Sequence, residues 1–367
     1  MKARRLRVAL TLEQCWHDVP GGTASSALET VRALQRRGDV EILGVAARHA
    51  KLPPAPWTPP VRMYQLPLPR TALYESWHAL RTPRVQFATG PVDVIHATTF
   101  AIPPKSAPLV VTVHDLAFLH DSSHFTKHGM RFFKRGLALA RKKADLVLVP
   151  SQSTFADCIE AGFELPRLRV VPHGVEIPPP DADAVRDFVT DHKLPERYLL
   201  WCGTLEPRKN VPTLLRAFAE LRRSDPDIGL VLVGPSGWGD VEVPAAASDG
   251  VHLLGFLSHE DLHAAYAGAR AFCYPSLREG FGLPVLEAMA HGVPVVTSAG
   301  TAMAEVVDTA GLLVDPLDVG ALAAALAVAI GSRHDELGAA ALERASSYSW
   351  DSAAELTVTA YREVAPT

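Results

Sequence analysis

The sequence of 367 residues lacks the features that mark several protein classes. Its four cysteines, Cys15, Cys158, Cys202 and Cys273, are widely separated, so they indicate neither a zinc site nor a disulfide framework. No apolar run approaches the ~18 residues that a membrane-spanning helix needs. The apolar stretch near the start is too short for a signal peptide, and Glu13 interrupts it. We therefore expect a cytoplasmic protein, at most peripheral at the inner face of a membrane.

A strong basic excess is also missing, because the net charge is −4 at pH 7. This balance argues against nucleic acid as the partner. With 48% hydrophobic and 21% charged residues, the chain can bury substantial cores. A single core rarely grows beyond roughly 250–300 residues, so two domains are expected. We place their boundary after residue 177, with a hinge at residues 178–183, and expect the second domain to span residues 178–350.

Strand and helix patterns alternate through both halves of the chain, which predicts an α/β fold with parallel sheets. The proline-rich residues 52–70 are expected to be irregular. In the second half, an apolar strand over residues 271–275 precedes a loop that contains Gly280 and Gly282. A helix follows, with Pro284 in its first turn.

This loop and helix carry two carboxylates, Glu279 on the loop and Glu287 about one turn into the helix. Backbone N–H groups and a positive helix end beside them suit an anionic or hydroxyl-rich ligand. A sugar nucleotide is the natural candidate. The alternative is an ordinary glycine loop with surface glutamates.

A second candidate is the loop at residues 203–210, which connects an apolar strand to the helix at 211–221. Its Arg208 and Lys209 stand where the carboxyl end of a strand meets a helix start, and cations at such places bind phosphates. A pair of solvated surface cations is the alternative.

The first half offers weaker candidates. Gly21 and Gly22 lie in a loop that precedes a helix, and their amides could bind a phosphate. Neither a Rossmann nor a Walker fingerprint is present. His114, with Asp115, follows a strand at the end where parallel sheets present functional groups. A structural histidine is the alternative, and His96 is a weaker candidate of the same kind.

Residues 126–143 predict a basic helix whose cations alternate with Phe132, Phe133 and two leucines. It is either a solvated face over a buried stripe or an interfacial helix that touches anionic lipid.

Taken together, these segments resemble the retaining GT-B glycosyltransferases of family 4. The likeness covers nearly the whole chain and is densest from Val170 to Pro316. Residues 279–287 are similar to the paired-glutamate motif of that family, and residues 203–210 to its phosphate-binding loop. Further counterparts are residues 171–175, Gly21-Gly22, His114-Asp115 and residues 348–350.

The resemblance implies two Rossmann-like domains that face each other across a cleft, with the last helix, residues 351–367, packed back on the first domain. It also implies a role for each matched residue. Glu287 would bind the nucleotide ribose, Lys209 and Arg208 the pyrophosphate, and His114 would contact the sugar near its reacting carbon. The remaining donor contacts would come from Glu279, Gly280, Phe281, Gly282 and Leu283 at the sugar, from Gly203 and Thr204 in the phosphate loop, and from Gly21 and Gly22 in the first domain.

One departure concerns the donor. Many members have an arginine directly after the glycine of the phosphate loop, where this chain has Thr204. Arg208 is expected to supply the charge instead. This pattern looks like a mannosyl- and rhamnosyltransferase subgroup, so we expect GDP-mannose as the donor. The family resemblance implies a retaining, metal-independent hexosyltransferase. A dTDP- or UDP-linked hexose is the alternative donor, and the acceptor would be a glycan or a lipid-linked glycan. A GT-B epimerase or phosphorylase, and a sugar-nucleotide-binding protein without turnover, are the alternative classes.

Overall fold

The computed structural model describes residues 5–121, 126–176, 182–235, 237 and 250–366. The chain divides into two compact units. Unit 1 comprises Met1–Gly174 and Ser349–Thr367, and unit 2 comprises Val175–Tyr348. Most of the predicted hinge, residues 178–181, lies outside the described residues, whereas Asp183 lies in a helix.

The core of unit 1 is a seven-stranded parallel sheet in the order β3-β2-β1-β4-β5-β6-β7. Its strands are β1 Leu6–Thr11, β2 Val40–Ala46, β3 Met63–Gln65, β4 Val94–Ala97, β5 Leu109–Thr112, β6 Leu146–Val149 and β7 Leu168–Val170. The prediction of irregular structure throughout residues 52–70 was wrong, because β3 pairs with β2 at the edge of this sheet. A three-residue edge strand between prolines has too few positions to show an alternating pattern.

The helices of unit 1 cover the faces of its sheet. They are α1 Gly21–Arg37, α2 Arg70–Ala79, α3 Gln86–Thr89, α4 Ala117–His120, α5 Lys127–Lys143, α6 Gln152–Glu160 and α14 Trp350–Val364. Helix α14 follows Ser349, whose hydroxyl accepts from the Ser352 N–H. It buries Val358 and Tyr361 in unit 1, and the Tyr361 hydroxyl lies 2.7 Å from His96 Nδ1.

The core of unit 2 is a six-stranded parallel sheet in the order β10-β9-β8-β11-β12-β13. Its strands are β8 Tyr198–Cys202, β9 Gly229–Val233, β10 Val251–Gly255, β11 Ala271–Tyr274, β12 Val295–Ser298 and β13 Leu312–Val314. Its helices are α7 Ala182–Asp191, α8 Val211–Leu221, α9 His259–Gly268, α10 Leu283–Ala290, α11 Ala302–Val307, α12 Val319–Ile330 and α13 His334–Ala345.

The central strands of both sheets are buried on two faces, which explains their uninterrupted apolar sequences. Both sheets reverse their strand order once, between β1 and β4 in unit 1 and between β8 and β11 in unit 2. The predicted α/β class with two parallel sheets is confirmed. In open sheets of this kind, ligands bind at the carboxyl ends of the strands that flank such a reversal. In the parts of the chain that the structure describes, no helix is long and apolar enough to span a bilayer.

Candidate active site

The candidate site in unit 2 is built on two neighbouring strands. Residues of β8 and β11 pair in parallel, with Leu199 opposite Ala271 and Leu200 opposite Phe272. The chain leaves β8 into the predicted phosphate loop and leaves β11 into the predicted paired-glutamate loop. Because parallel strands end at the same edge of a sheet, both loops lie at the reversal of strand order.

Lys209 connects the two loops. Its Nζ donates to Glu279 Oε1 at 2.6 Å and to the Tyr274 hydroxyl at 2.5 Å. Lys209 is only 8% exposed and belongs to a short 3₁₀ turn, Pro207–Lys209, that directly precedes α8. The turn ends at Asn210, whose φ is 56° and whose side-chain amide donates to the carbonyls of Pro275 and Pro316. Asn210 thus fixes the direction in which the chain enters the helix.

Arg208 completes the network from the other side. Its guanidinium lies 2.8 Å from Glu279 Oε2 and donates to Glu206 Oε1 at 2.6 Å. It also donates to the Arg278 carbonyl at 2.7 Å. Both oxygens of Glu279 therefore contact a cation, and Ser276 donates a further hydrogen bond of 2.7 Å to Oε1.

The charges in this network set the ionisation of its members. Burial by itself would raise the pKa of Glu279, but the Arg208 and Lys209 cations lower it to about 2. Burial and the Arg208 charge lower the pKa of Lys209, and Glu279 and Glu206 act in the opposite direction. Glu279 is consequently a carboxylate across the neutral pH range.

Helix α10 starts beside this network. Gly282, its N-cap, has a φ of 100°, and a Cβ at this position would lie 2.7 Å from Met303 Cγ, so glycine is required on both counts. Gly280 and Phe281 are buried and Leu283 is half-buried at the helix start. At this helix start Pro284 has no N–H, and the N–H groups of Val285 and Leu286 donate to the Gly282 carbonyl at 3.0 and 3.2 Å. The positive end of the helix dipole lies at the strand edge.

Glu287 lies one turn into α10, and its position is fixed by a residue of another helix. Tyr266, on α9, donates to Glu287 Oε2 at 2.9 Å. Burial raises the pKa of the thiol of Cys202, the last residue of β8. The negative charge of Glu287 also raises this pKa, which is about 12. Glu287 is half-buried.

Gly203 and Thr204 lie where β8 runs close to the end of β9. Gly234, which follows β9, has a φ of 131°, and a Cβ there would lie 1.9 Å from the Gly203 carbonyl oxygen. The Leu205 N–H donates to the Pro235 carbonyl at 3.0 Å. Thr204 is half-buried and uncharged, so the positive charge of this loop comes from Arg208 and Lys209.

Three residues of the network were not predicted from the sequence: Glu206, Tyr274 and Ser276. All three are buried. Glu206 stands two positions before Arg208, and this spacing was a signal that a paired charge was present. Tyr274 and Ser276 flank the end of β11 and carry no pattern that separates them from ordinary core residues.

In unit 1, His114 follows β5 and lies beside two other histidines. Its Nε2 donates to the Thr98 carbonyl at 3.0 Å, which leaves Nδ1 as the acceptor of the neutral ring. Its ring centroid is 5.7 Å from that of His173, which lies 5.5 Å from Trp350. Burial lowers the pKa of His114, and the bond to Thr98 acts in the opposite direction.

A small cavity of about 30 Å³ adjoins these rings. It is lined by His96, His114 and His173 and by residues of α1 and α14. His96 is a core residue, because its two ring nitrogens contact the Tyr361 and Thr112 hydroxyls at 2.7 Å each.

Gly21 and Gly22 do not lie in a loop as predicted, because α1 begins at Gly21. Gly21 has a φ of 61°, and the preceding Pro20 makes no side-chain cap. The amides of the first helical turn are therefore left for another acceptor. These glycines and His114 belong to unit 1, and the charged network belongs to unit 2.

Comparison with known proteins agrees with these features. Residues 196–331 match the model of glycosyl transferases group 1, and residues 20–177 match that of glycosyltransferase family 4. O-antigen chain mannosyltransferase B of Escherichia coli is 33% identical over 285 residues, which cover 73% of this chain and 74% of that protein. The chain belongs to the family 4 glycosyltransferases.

Two further comparisons concern a longer relative and a solved structure of similar fold. The serotype-specific mannosyltransferase WbdA of Escherichia coli is 29% identical over 282 residues, 71% of this chain but 34% of that protein. A crystal structure of Anabaena HepE in complex with UDP and glucose has a TM-score of 0.75 and 19% identity, and covers 98% of this chain and 100% of its own. The shared fold has two Rossmann-like units, as GT-B predicts.

Proposed function

We propose that this glycosyltransferase moves a hexose from a nucleotide sugar to an acceptor hydroxyl with retention of the anomeric configuration. The observation that carries the proposal is the contact of Glu279 with both Arg208 and Lys209 at the strand edge beside the start of α10. A buried and a half-buried cation beside a helix start suit a diphosphate, and a carboxylate between them suits sugar hydroxyls.

In this proposal, Lys209 and Arg208 bind the pyrophosphate, helped by the amides of Gly203 and Thr204. Glu279 and the amides of Gly280, Phe281, Gly282 and Leu283 bind the sugar hydroxyls. Glu287, oriented by Tyr266, binds the ribose. The roles proposed for Gly21 and Gly22 at the diphosphate, and for His114 near the reacting carbon of the sugar, rest on the family resemblance.

The chemistry follows from the charges that develop during transfer. The bond between the anomeric carbon and the phosphate oxygen breaks, so the carbon becomes cation-like and negative charge gathers on the diphosphate. Preorganised cations stabilise that charge. The acceptor hydroxyl attacks on the same face, and its proton passes to the departing phosphate oxygen. Arg208 and Lys209 supply the positive charge that a metal ion supplies in other transferases, and we propose that no metal is required.

The donor that we propose is GDP-mannose. The mannosyltransferase relatives and Thr204 in place of an arginine support this choice. The structural neighbour in complex with UDP and glucose makes UDP-glucose the alternative to test, together with a dTDP-hexose. The acceptor is proposed to be a glycan or a lipid-linked glycan.

Membrane contact through α5 belongs to the same proposal. Its exposed cations are Lys127, Arg131, Lys134, Arg135, Arg141 and Lys142. The interleaved aromatics are turned inward, since Phe132 stacks on Tyr74 and His78, and Phe133 on Phe118. Contact with anionic lipid would therefore be electrostatic, without aromatic insertion.

The test is a thermal-shift screen with GDP, UDP, dTDP and their sugars, followed by NMR of the product made from the donor that binds. A ligand that binds only the native state raises apparent stability with the logarithm of its concentration over Kd. We expect a selective response to GDP and an α-linked mannosyl product whose formation persists in EDTA. Nucleotide binding without transfer or hydrolysis would favour a binding protein, and an isomerised donor would favour an epimerase.

A further inference from the structure

Three histidines of unit 2 form a chain that the transfer reaction does not use. His259 is the first residue of α9, His263 follows one turn later, and His291 is the C-cap of α10. The Nε2 atoms of His259 and His263 are 3.1 Å apart. The other ring nitrogen of His263, Nδ1, lies 3.0 Å from His291 Nε2.

The facing Nε2 atoms have the separation that two ligands of one metal ion need. An ion about 2.05 Å from each nitrogen, the usual Zn–N distance, would subtend an angle of about 98°, between octahedral and tetrahedral values. Histidines at positions i and i+4 lie on one helix face, and this spacing brings two imidazoles to one metal in many zinc proteins. The planes of the two rings are nearly perpendicular, at 85°, and their centroids are 4.2 Å apart.

His291 supplies the outer contact that metal-binding imidazoles need. A ligating histidine generally donates its second ring N–H to an acceptor, which fixes its tautomer and its orientation. His263 Nδ1–H donating to His291 Nε2 places the lone pair of His263 on Nε2, toward His259. The His291 ring is itself held by stacking on Tyr266, with ring centroids 5.8 Å apart and an interplanar angle of 12°.

The number of protein ligands follows from the same geometry. His291 faces the far nitrogen of His263, so the three rings cannot converge on one ion. This agrees with the absence, among the described residues, of any group of three or more His, Cys, Asp or Glu side chains that could hold a metal. Water would fill the remaining positions. Glu260 and Asp261, in the first turn of α9, offset the positive end of the helix that would otherwise repel a cation.

We propose that His259 and His263 form a binding site for a divalent transition-metal ion of the Zn²⁺ or Ni²⁺ class, with His291 as the residue that orients His263. Imidazole ligands select such ions, whereas Mg²⁺ prefers oxygen ligands. His259 is exposed, so the site is open to solvent. The site is independent of the transfer reaction, and its test needs no nucleotide.

The test is isothermal titration calorimetry of the untagged full chain with NiCl₂, ZnCl₂ and MgCl₂. We expect one site for Ni²⁺ and Zn²⁺ that His259→Ala and His263→Ala each weaken at least tenfold, and no heat from Mg²⁺. His291→Ala should weaken binding by 10–100-fold, whereas His291→Gln, which keeps an acceptor, should stay close to wild type.

His128→Ala, which removes an exposed histidine of unit 1, is the matched control and should leave binding unchanged. Circular dichroism melts without metal verify that each variant folds, and the exposed position of His259 keeps that variant informative if His263→Ala unfolds. Absence of Ni²⁺ binding to the wild type, or binding that survives both His259→Ala and His263→Ala, would overturn the proposal.

Discussion

Lys209 and Glu279 are 70 positions apart in the sequence, and their charged atoms are 2.6 Å apart in the structure. Arg208 contacts the second oxygen of the same carboxylate, and Glu206 pairs with Arg208. Two cations and two carboxylates therefore balance each other. Glu279 holds the cations in place, but it also offsets the charge that they could offer to a diphosphate.

This balance predicts that Glu279→Gln separates binding from turnover. Glutamine keeps the shape and removes the negative charge, so GDP should bind several-fold more tightly by calorimetry. Transfer should fall at least 100-fold, because the sugar loses its carboxylate contact in the transition state. Weaker GDP binding together with normal turnover would contradict both roles of Glu279.

Lys209→Ala should lower both GDP affinity and transfer, the latter nearly to background, because the diphosphate loses a buried cation. The variant should remain folded by circular dichroism. Arg223→Ala, which removes an exposed cation of the same unit, is the control and should retain wild-type kinetics. Near-normal turnover of purified Lys209→Ala would refute the site assignment.

The ion pairs of Glu279 predict an acid-dependent loss of stability. Its pKa in the folded protein, about 2, lies below the ordinary value of 4.5, so the stabilisation is present above pH 4.5 and lost as the pH falls toward 2. From pH 7 to pH 3.5, the free energy of unfolding should fall by about 1 kcal/mol more in the wild type than in Glu279→Gln. Urea unfolding at both pH values measures the difference.

A surface carboxylate provides the control for this pH effect. Glu336 pairs with Arg333 at 2.6 Å, but both side chains are exposed. Solvent screens such pairs, so Glu336→Gln should show the same pH dependence as the wild type. If the wild type, Glu279→Gln and Glu336→Gln showed equal pH dependence, Arg208 and Lys209 would not lower the pKa of Glu279.

Tyr266→Phe should raise the KM for the donor with little change in kcat. The substitution removes the 2.9 Å hydrogen bond to Glu287 and leaves the buried ring in place. Ribose binding contributes equally to the ground and transition states, so its loss affects KM rather than kcat. Glu287→Gln should raise KM further, and a fall in kcat alone would contradict a ribose role.

Substitution of His114 and of His96, the two histidines at or near strand ends in unit 1, should affect different properties. His114→Ala should abolish most transfer with a small change in thermal stability. His96→Ala should instead cost about 1–3 kcal/mol of stability, because it leaves the buried Tyr361 hydroxyl without its partner. Loss of transfer at unchanged stability in His96→Ala would reverse the assignment.

Vesicle co-sedimentation tests the basic helix α5. Each exposed cation contributes about 1 kcal/mol near an anionic surface, so Arg131→Glu with Lys134→Glu should release the protein from phosphatidylserine-containing vesicles. Arg135 is a poorer choice, since it pairs with Glu75 at 2.7 Å. Unchanged binding of the double variant, or no binding of the wild type, would remove α5 as a membrane contact.

Local signals in the sequence accounted for most elements. The predictions of a helix over residues 211–221 and of a strand over residues 271–275 agree with α8 and, to within one residue, with β11. Caps gave equally local signals: Thr126 and Ser258 accept from N–H groups of the first turns that follow them. Where the signal was short or absent, as at β3 or at the start of α1, the prediction failed.

The sequence by itself determined the parallel α/β class, the two glycine loops and the charged residues on them, because apolar periodicity and glycine or proline positions act over a few neighbouring residues. Only the tertiary structure decided that Glu279 contacts both Arg208 and Lys209, that Tyr266 orients Glu287, and that His259, His263 and His291 form a chain. Each of these contacts depends on which strands pair and which helices pack together. Those pairings join distant segments, so no local pattern in the sequence encodes them.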